Sequence, residues 1–151
     1  MTLVRTYKHL GTNLEGLFED MVKEISSEPR LNIVSEMHGD IRGVPMMSVT
    51  ASRSNIPKML AGTLREVTVT ITGVPDNYLI EMHIGEWLRG LVLPHTDPVF
   101  LVGPLTELVA VGSSGLLAAT YGRDLKLKIK ELVKKHSKSD YTDDKIETFI
   151  D

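Results

Sequence analysis

Apolar residues at helical spacing mark the first element of this chain. Leu14, Leu17, Phe18, Met21, Val22 and Ile25 fall three and four apart, which predicts an amphipathic helix over 12–26 with one apolar face. Thr12 and Glu15 have the spacing of a capping box at its start, and Pro29 bars its extension. The spacing then changes to alternation. Residues 31–38 and 43–52 read as strands around the break His38-Gly39-Asp40-Ile41-Arg42-Gly43. Pro45 puts the second of them at an edge or gives it an irregular start. Residues 64–72 carry the clearest strand pattern, with Val67, Val69 and Ile71 set between Thr68, Thr70 and Thr72. The turn formers of 73–77 lead into a return strand over 78–84. There Tyr78, Ile80, Met82 and Ile84 face one way and Leu79, Glu81 and His83 the other. The expectation is an antiparallel meander of about four strands with one apolar face to cover.

The pattern then breaks. Residues 88–98 hold Gly90, Pro94 and Pro98 and read as an irregular connection, while 98–122 carry a single charge, Glu107. Such a run is long enough to span a bilayer, but Gly103, Pro104, Gly112 and Gly115 interrupt it and Glu107 would lie inside it. As a helix within protein it presents a row of mostly small residues: Gly103, Thr106, Ala110, Ser113, Ser114, Leu117 and Thr120. A helix apolar nearly all round needs cover on most sides, which one sheet does not provide. Phe100, Gly103, Thr106, Glu107, Ala110, Ser113, Ser114 and Leu117 are therefore candidate interface residues. A β-hairpin over 108–119, turning at 112–115, is the alternative. A second C-terminal helix follows over 123–136, with Leu125, Ile129, Leu132, Val133 and His136 on one face. Residues 137–151 read as a charged tail whose Tyr141, Ile146, Phe149 and Ile150 a partner would order. The fold expected is α+β: one domain over 1–136 and a tail over 137–151. The sheet is covered by the N-terminal helix and two C-terminal helices.

Composition narrows the function classes. The chain has 151 residues and no cysteine, which excludes a disulfide scaffold, a thiol nucleophile and an iron–sulfur cluster. Its net charge of −3 gives no overall attraction for nucleic acid, so no such partner is expected. The sum hides two blocks. Seven Lys and Arg lie in 123–138 and five acids in 139–151, so an anionic membrane surface stays open as a local partner. The start of the chain has no long apolar leader pattern, and a cytoplasmic or membrane-peripheral location is expected.

Candidate chemistry is sparse. Glu81 and His83 lie two apart on one strand face, as an acid and an imidazole for proton transfer would. Glu36 and His38 repeat the spacing, and suitable pairing would gather all four on one face of the sheet. The solvated face of a half-covered sheet gives the same pattern. His95 and Asp97 form the nearest approach to a metal pair, with no third ligand in view. Trp87 stands at the end of the meander as a ligand contact or a plug for the sheet end. No phosphate loop, nucleophile elbow or dinucleotide fingerprint occurs, and no cofactor is expected.

The helix over 12–26, the strand 64–73, the turn Val74-Pro75-Asp76-Asn77 and the Gly85-Glu86-Trp87 strand end are followed by the small-residue apolar run 100–121 and a charged helix. In this order the chain resembles a group of uncharacterised prokaryotic α+β domains, departing from it at 88–98. The resemblance implies an architecture and no chemistry. The leading expectation is a non-enzymatic domain that associates with itself or a protein partner through 98–122. A module for an apolar or lipid-like ligand comes second, and an enzyme using Glu81 and His83 third.

Overall fold

The computed structural model describes residues 1–53, 62–86 and 116–150. They form β1 (Thr2–Lys8), α1 (Leu14–Ser26), β2 (Asn32–Ile41), β3 (Val44–Ser52), β4 (Leu64–Val74) and β5 (Asn77–Glu86). Then come α2 (Ala118–His136), a 3-10 turn (Asp143–Lys145) and β6 (Ile146–Ile150). The class is α+β. One six-stranded antiparallel sheet runs in the order β2-β3-β4-β5-β1-β6.

Alternation explains the two faces. Directly paired residues point to the same side of a sheet. Val49 pairs with Val69, Val69 with Met82 and Met82 with Leu3. These four, with Val67, Ile71, Tyr78, Ile80 and Ile84, are almost fully buried. Both helices pack on this side. On the other side Ser48 meets Thr70 at 2.9 Å and Thr50 meets Thr68 at 3.1 Å, hydroxyl to hydroxyl. The Val/Thr alternation of β4 is thus one apolar and one hydroxyl-bearing face of the same strand.

The sheet is wider than the four strands expected. β1 is a strand inserted between β5 and β6, with Leu3 opposite Met82 and Tyr7 opposite Tyr78. Its alternation is masked in sequence because Arg5 occupies the middle of the apolar row. Residues 146–150, read as part of a charged tail, pair with β1 as β6, with Thr148 opposite Arg5. The neighbour that orders them is the chain's own first strand.

The helices also depart from expectation. No boundary separates 122 from 123. Ala118, Gly122, Leu125, Ile129, Leu132 and Val133 form one buried stripe along a single 19-residue helix. Helix over 118–119 also removes the second arm of the alternative hairpin. At the start of α1 the N-cap is Asn13, whose side chain accepts from the Gly16 amide at 3.2 Å, so the Thr12/Glu15 capping box does not form. Thr12 is buried and serves elsewhere. The β2–β3 connection is tighter than the six-residue break expected. Arg42 and Gly43 alone turn the chain, both at positive φ, the primed turn that matches strand twist.

The helices meet closely. A Cβ on Gly16 would sit 2.9 Å from the His136 ring. One turn further along α1, Asp20 Oδ2 accepts from Lys135 Nζ at 2.9 Å and from His136 Nε2 at 2.8 Å. At the far end of the interface, Thr12 Oγ1 lies 2.7 Å from the Tyr78 hydroxyl and 2.8 Å from Ser137 Oγ. Ser137 donates to the Val133 carbonyl. Each hydroxyl has one proton to donate, so the direction is fixed: Tyr78 to Thr12, Thr12 to Ser137, Ser137 to Val133. Burial pushes Tyr78 up to about 12, which keeps it a donor.

Candidate functional site

The acid–imidazole constellation does not assemble. Glu81 pairs with Thr70 and His83 with Thr68, which places both on the hydroxyl-bearing face. Glu36 pairs with Val49 and His38 with Met47, on the helix-bearing face. The two couples therefore lie on opposite sides of the sheet, with β3 and β4 between their strands. His83 Nδ1 is 2.9 Å from Thr2 Oγ1. His38 Nε2 is 3.3 Å from Glu36 Oε1, and its ring meets the edge of Phe18 at 5.2 Å. Both couples are surface groups. Trp87, His95, Asp97, Phe100, Gly103, Thr106, Glu107, Ala110, Ser113 and Ser114 lie outside the described residues. Leu117 is described: it is the N-cap of α2 and bridges to Thr63 of its own chain. Its neighbours Leu116 and Ala118 are buried in the core. This end of the apolar run is used inside the molecule.

The feature that alternation missed is β2. Every one of its ten residues is exposed, although the strand carries Ile33, Val34, Met37 and Ile41. The register explains this. Met37 pairs with Ser48 and Ile41 with Val44, on the face that neither described helix covers, while the helix side of β2 holds Ile33, Glu36, His38 and Asp40. α1 meets that side at Phe18, whose ring faces His38. The hairpin therefore overhangs the helical layer. In the observed register Ile33 keeps step with Ala51 of β3, and past the irregularity Met37 and Ile41 fall opposite Ser48 and Val44, out of step with Val49 and Ala51.

Beneath the overhang, a mostly apolar cleft of about 420 Å³ lies between the first turn of α1 and the β2–β3 hairpin, lined by His38, Pro45 and Met47 among others. A second cleft of about 300 Å³ lies at the opposite edge, lined by Arg5, Lys130, Tyr141, Ile146 and Thr148. Among the described residues no group of His, Asp and Glu is placed to hold a metal ion, and no helix is long and apolar enough to cross a membrane.

Comparison of the chain with protein-family models, with curated proteins and with solved structures finds no match.

Proposed function

We propose that this is a self-associating interaction domain and that two copies join through β2. The carrying observation is the ten-residue edge strand exposed along its whole length, with Val34 60%, Met37 51% and Ile41 51% accessible. Among the described residues no strand pairs with the outer side of β2 from Val34 to Ile41. Such an edge offers its backbone N–H and C=O groups to another strand, and proteins often blunt edges with a proline or lysine. β2 has neither. Its blunting devices are the irregularity between Ile33 and Ser35, at the end away from the turn, and the acids Glu36 and Asp40 on the helix side.

The occupant that fits is a second copy. In an antiparallel two-fold pair with Met37 on the axis, Glu36 stands opposite the partner's His38, and His38 opposite the partner's Glu36. Ser35 stands opposite the partner's Gly39. A two-fold interface requires such self-complementarity. Acids facing imidazoles across strands are favourable, where like charges would be unfavourable. The acid–imidazole couple of β2 is then a recognition element, and Met37 meets the partner's Met37 on the open face.

Size-exclusion chromatography with light scattering tests this on the full chain and on Met37→Lys. The expected result is a dimer that the lysine converts to a folded monomer, with far-UV circular dichroism unchanged. A monomeric unmodified chain overturns the reading, and so does a dimer indifferent to the lysine.

A further inference from the structure

The second cleft lies at the other edge of the sheet, between β1, β6 and α2. Lys126, Lys130 and Lys134 recur every four residues along α2, so they form one row. Lys130 lines the cleft. Lys126 lines an adjoining notch that also holds Arg5. Lys134 closes the row at the Tyr141 ring, its Nζ 5.2 Å from the centroid, with Lys130 Nζ at 5.8 Å from the same ring. Arg5 comes from the sheet. It interrupts the row of Leu3 and Tyr7, on the side where the helices pack, and its Nε donates to Thr148 Oγ1 at 3.1 Å.

Arg5 and Lys130 thus line the cleft, with Lys126 at the adjoining notch and Lys134 at the Tyr141 ring that walls it. Among the described residues none of the four forms an ion pair with a carboxylate. Asp20 binds Lys135 and His136, and Glu131 binds Lys128. Asp140 and Asp144 stand near Tyr141 and Ile146 in the chain and form no ion pair with any of the four among the described residues. Glu147 pairs with Thr6, on the opposite face of the sheet from Arg5. In a chain of net charge −3, this concentration is not a consequence of composition. Like charges four apart on a helix repel, and two ammonium groups at one aromatic ring are held without being neutralised. The half-buried Arg5 guanidinium, bonded to Thr148 Oγ1 through Nε, would gain a charged partner from a bound anion.

We propose that this cleft binds a phosphate group. Arginine gives a planar fork of donors matched to phosphate oxygens, and lysines add point charge. Thr148 supplies a hydroxyl beside them, and the Tyr141 ring forms an apolar wall. The volume of about 300 Å³ suits a phosphate with a small attached group. That phosphate is carried by a soluble compound or by a lipid headgroup.

The test uses the full chain, with inorganic pyrophosphate as the soluble probe and phosphatidic acid vesicles as the lipid one. Phosphatidylcholine vesicles are the neutral reference. Lys130 is exposed, so Lys130→Gln leaves the fold intact, and Lys128→Gln is the matched control outside the cleft. Amide resonances of Arg5, Tyr141 and Thr148 should shift on titration with pyrophosphate, and Lys130→Gln should weaken binding at least fivefold while Lys128→Gln does not. Binding to phosphatidic acid vesicles alone, with the same dependence on Lys130, assigns the phosphate to a lipid. No binding to either probe overturns the proposal, as does equal loss in the two variants, which would mean diffuse attraction. Neither outcome depends on whether β2 pairs.

Discussion

Thr12 shows how one side chain can serve a need its sequence position does not advertise. It stands where a helix cap is expected, yet its hydroxyl is the middle of a buried relay from Tyr78 to the end of α2. Thr12→Val strands the Tyr78 proton and the Ser137 acceptor together, and a stranded buried group costs about 1–3 kcal/mol. Tyr78→Phe removes only the first donor and costs about 0.5–1.5 kcal/mol. Denaturant unfolding should therefore rank the valine variant as the less stable, and the reverse order would refute the relay. Asp20 carries a pH dependence. Hydrogen bonds from His136 and Lys135 hold its carboxyl down at about 2, below the ordinary carboxylate range near 3.9. The folded state therefore favours the ionised form. That contribution is complete above the ordinary range and is lost as pH falls through about 2. The stability difference between the unmodified chain and Asp20→Asn should be constant near neutrality and shrink between pH 4 and pH 2. A difference that grows on acidification would contradict the assignment.

The helix pair depends on Gly16. Alanine gains about 1 kcal/mol of helix propensity over glycine. Its Cβ would nevertheless lie 2.9 Å from a His136 ring that Asp20 holds in place. Overpacking of this kind costs about 1–3 kcal/mol, so Gly16→Ala should lower the melting temperature; a rise would mean the helices part easily. Elements built from local pattern were legible in the sequence. α1, β3, β4 and β5 follow from the spacing of Leu17, Val49, Val69 and Met82, because each has a core face and a wet face. β1 and β6 were not legible. Arg5 interrupts the alternation of β1, and β6 owes its strand to a partner at the other end of the chain. Deleting residues 146–151 should raise hydrogen exchange at Leu3 to Tyr7 and leave β4 protected. Equal exchange in both strands would mean that β6 adds nothing locally. The candidate site was less legible than the fold. Glu36 and His38 were visible as a couple, but their face depends on a register that alternation within one strand does not fix.

At the scale of the whole molecule the two edges of the sheet differ in kind. The β2 edge is long and exposed and carries Met37 and Ile41 on one face and Glu36, His38 and Asp40 on the other, while the β6 edge borders a cationic hollow under α2. The helical layer explains the division, because α1 and α2 cover the centre of the sheet and leave β2 overhanging. The central claim is that β2 pairs with a second β2 in one register, and exchanging its charged couple tests that register directly. Sedimentation equilibrium on the unmodified chain, His38→Glu and the double variant Glu36→His/His38→Glu is the measurement. The expected result is a dimer for the unmodified chain, a weakened dimer in which acids face acids for His38→Glu, and a dimer restored by the exchange. Monomer for all three chains, or a double variant no better than His38→Glu, would contradict it.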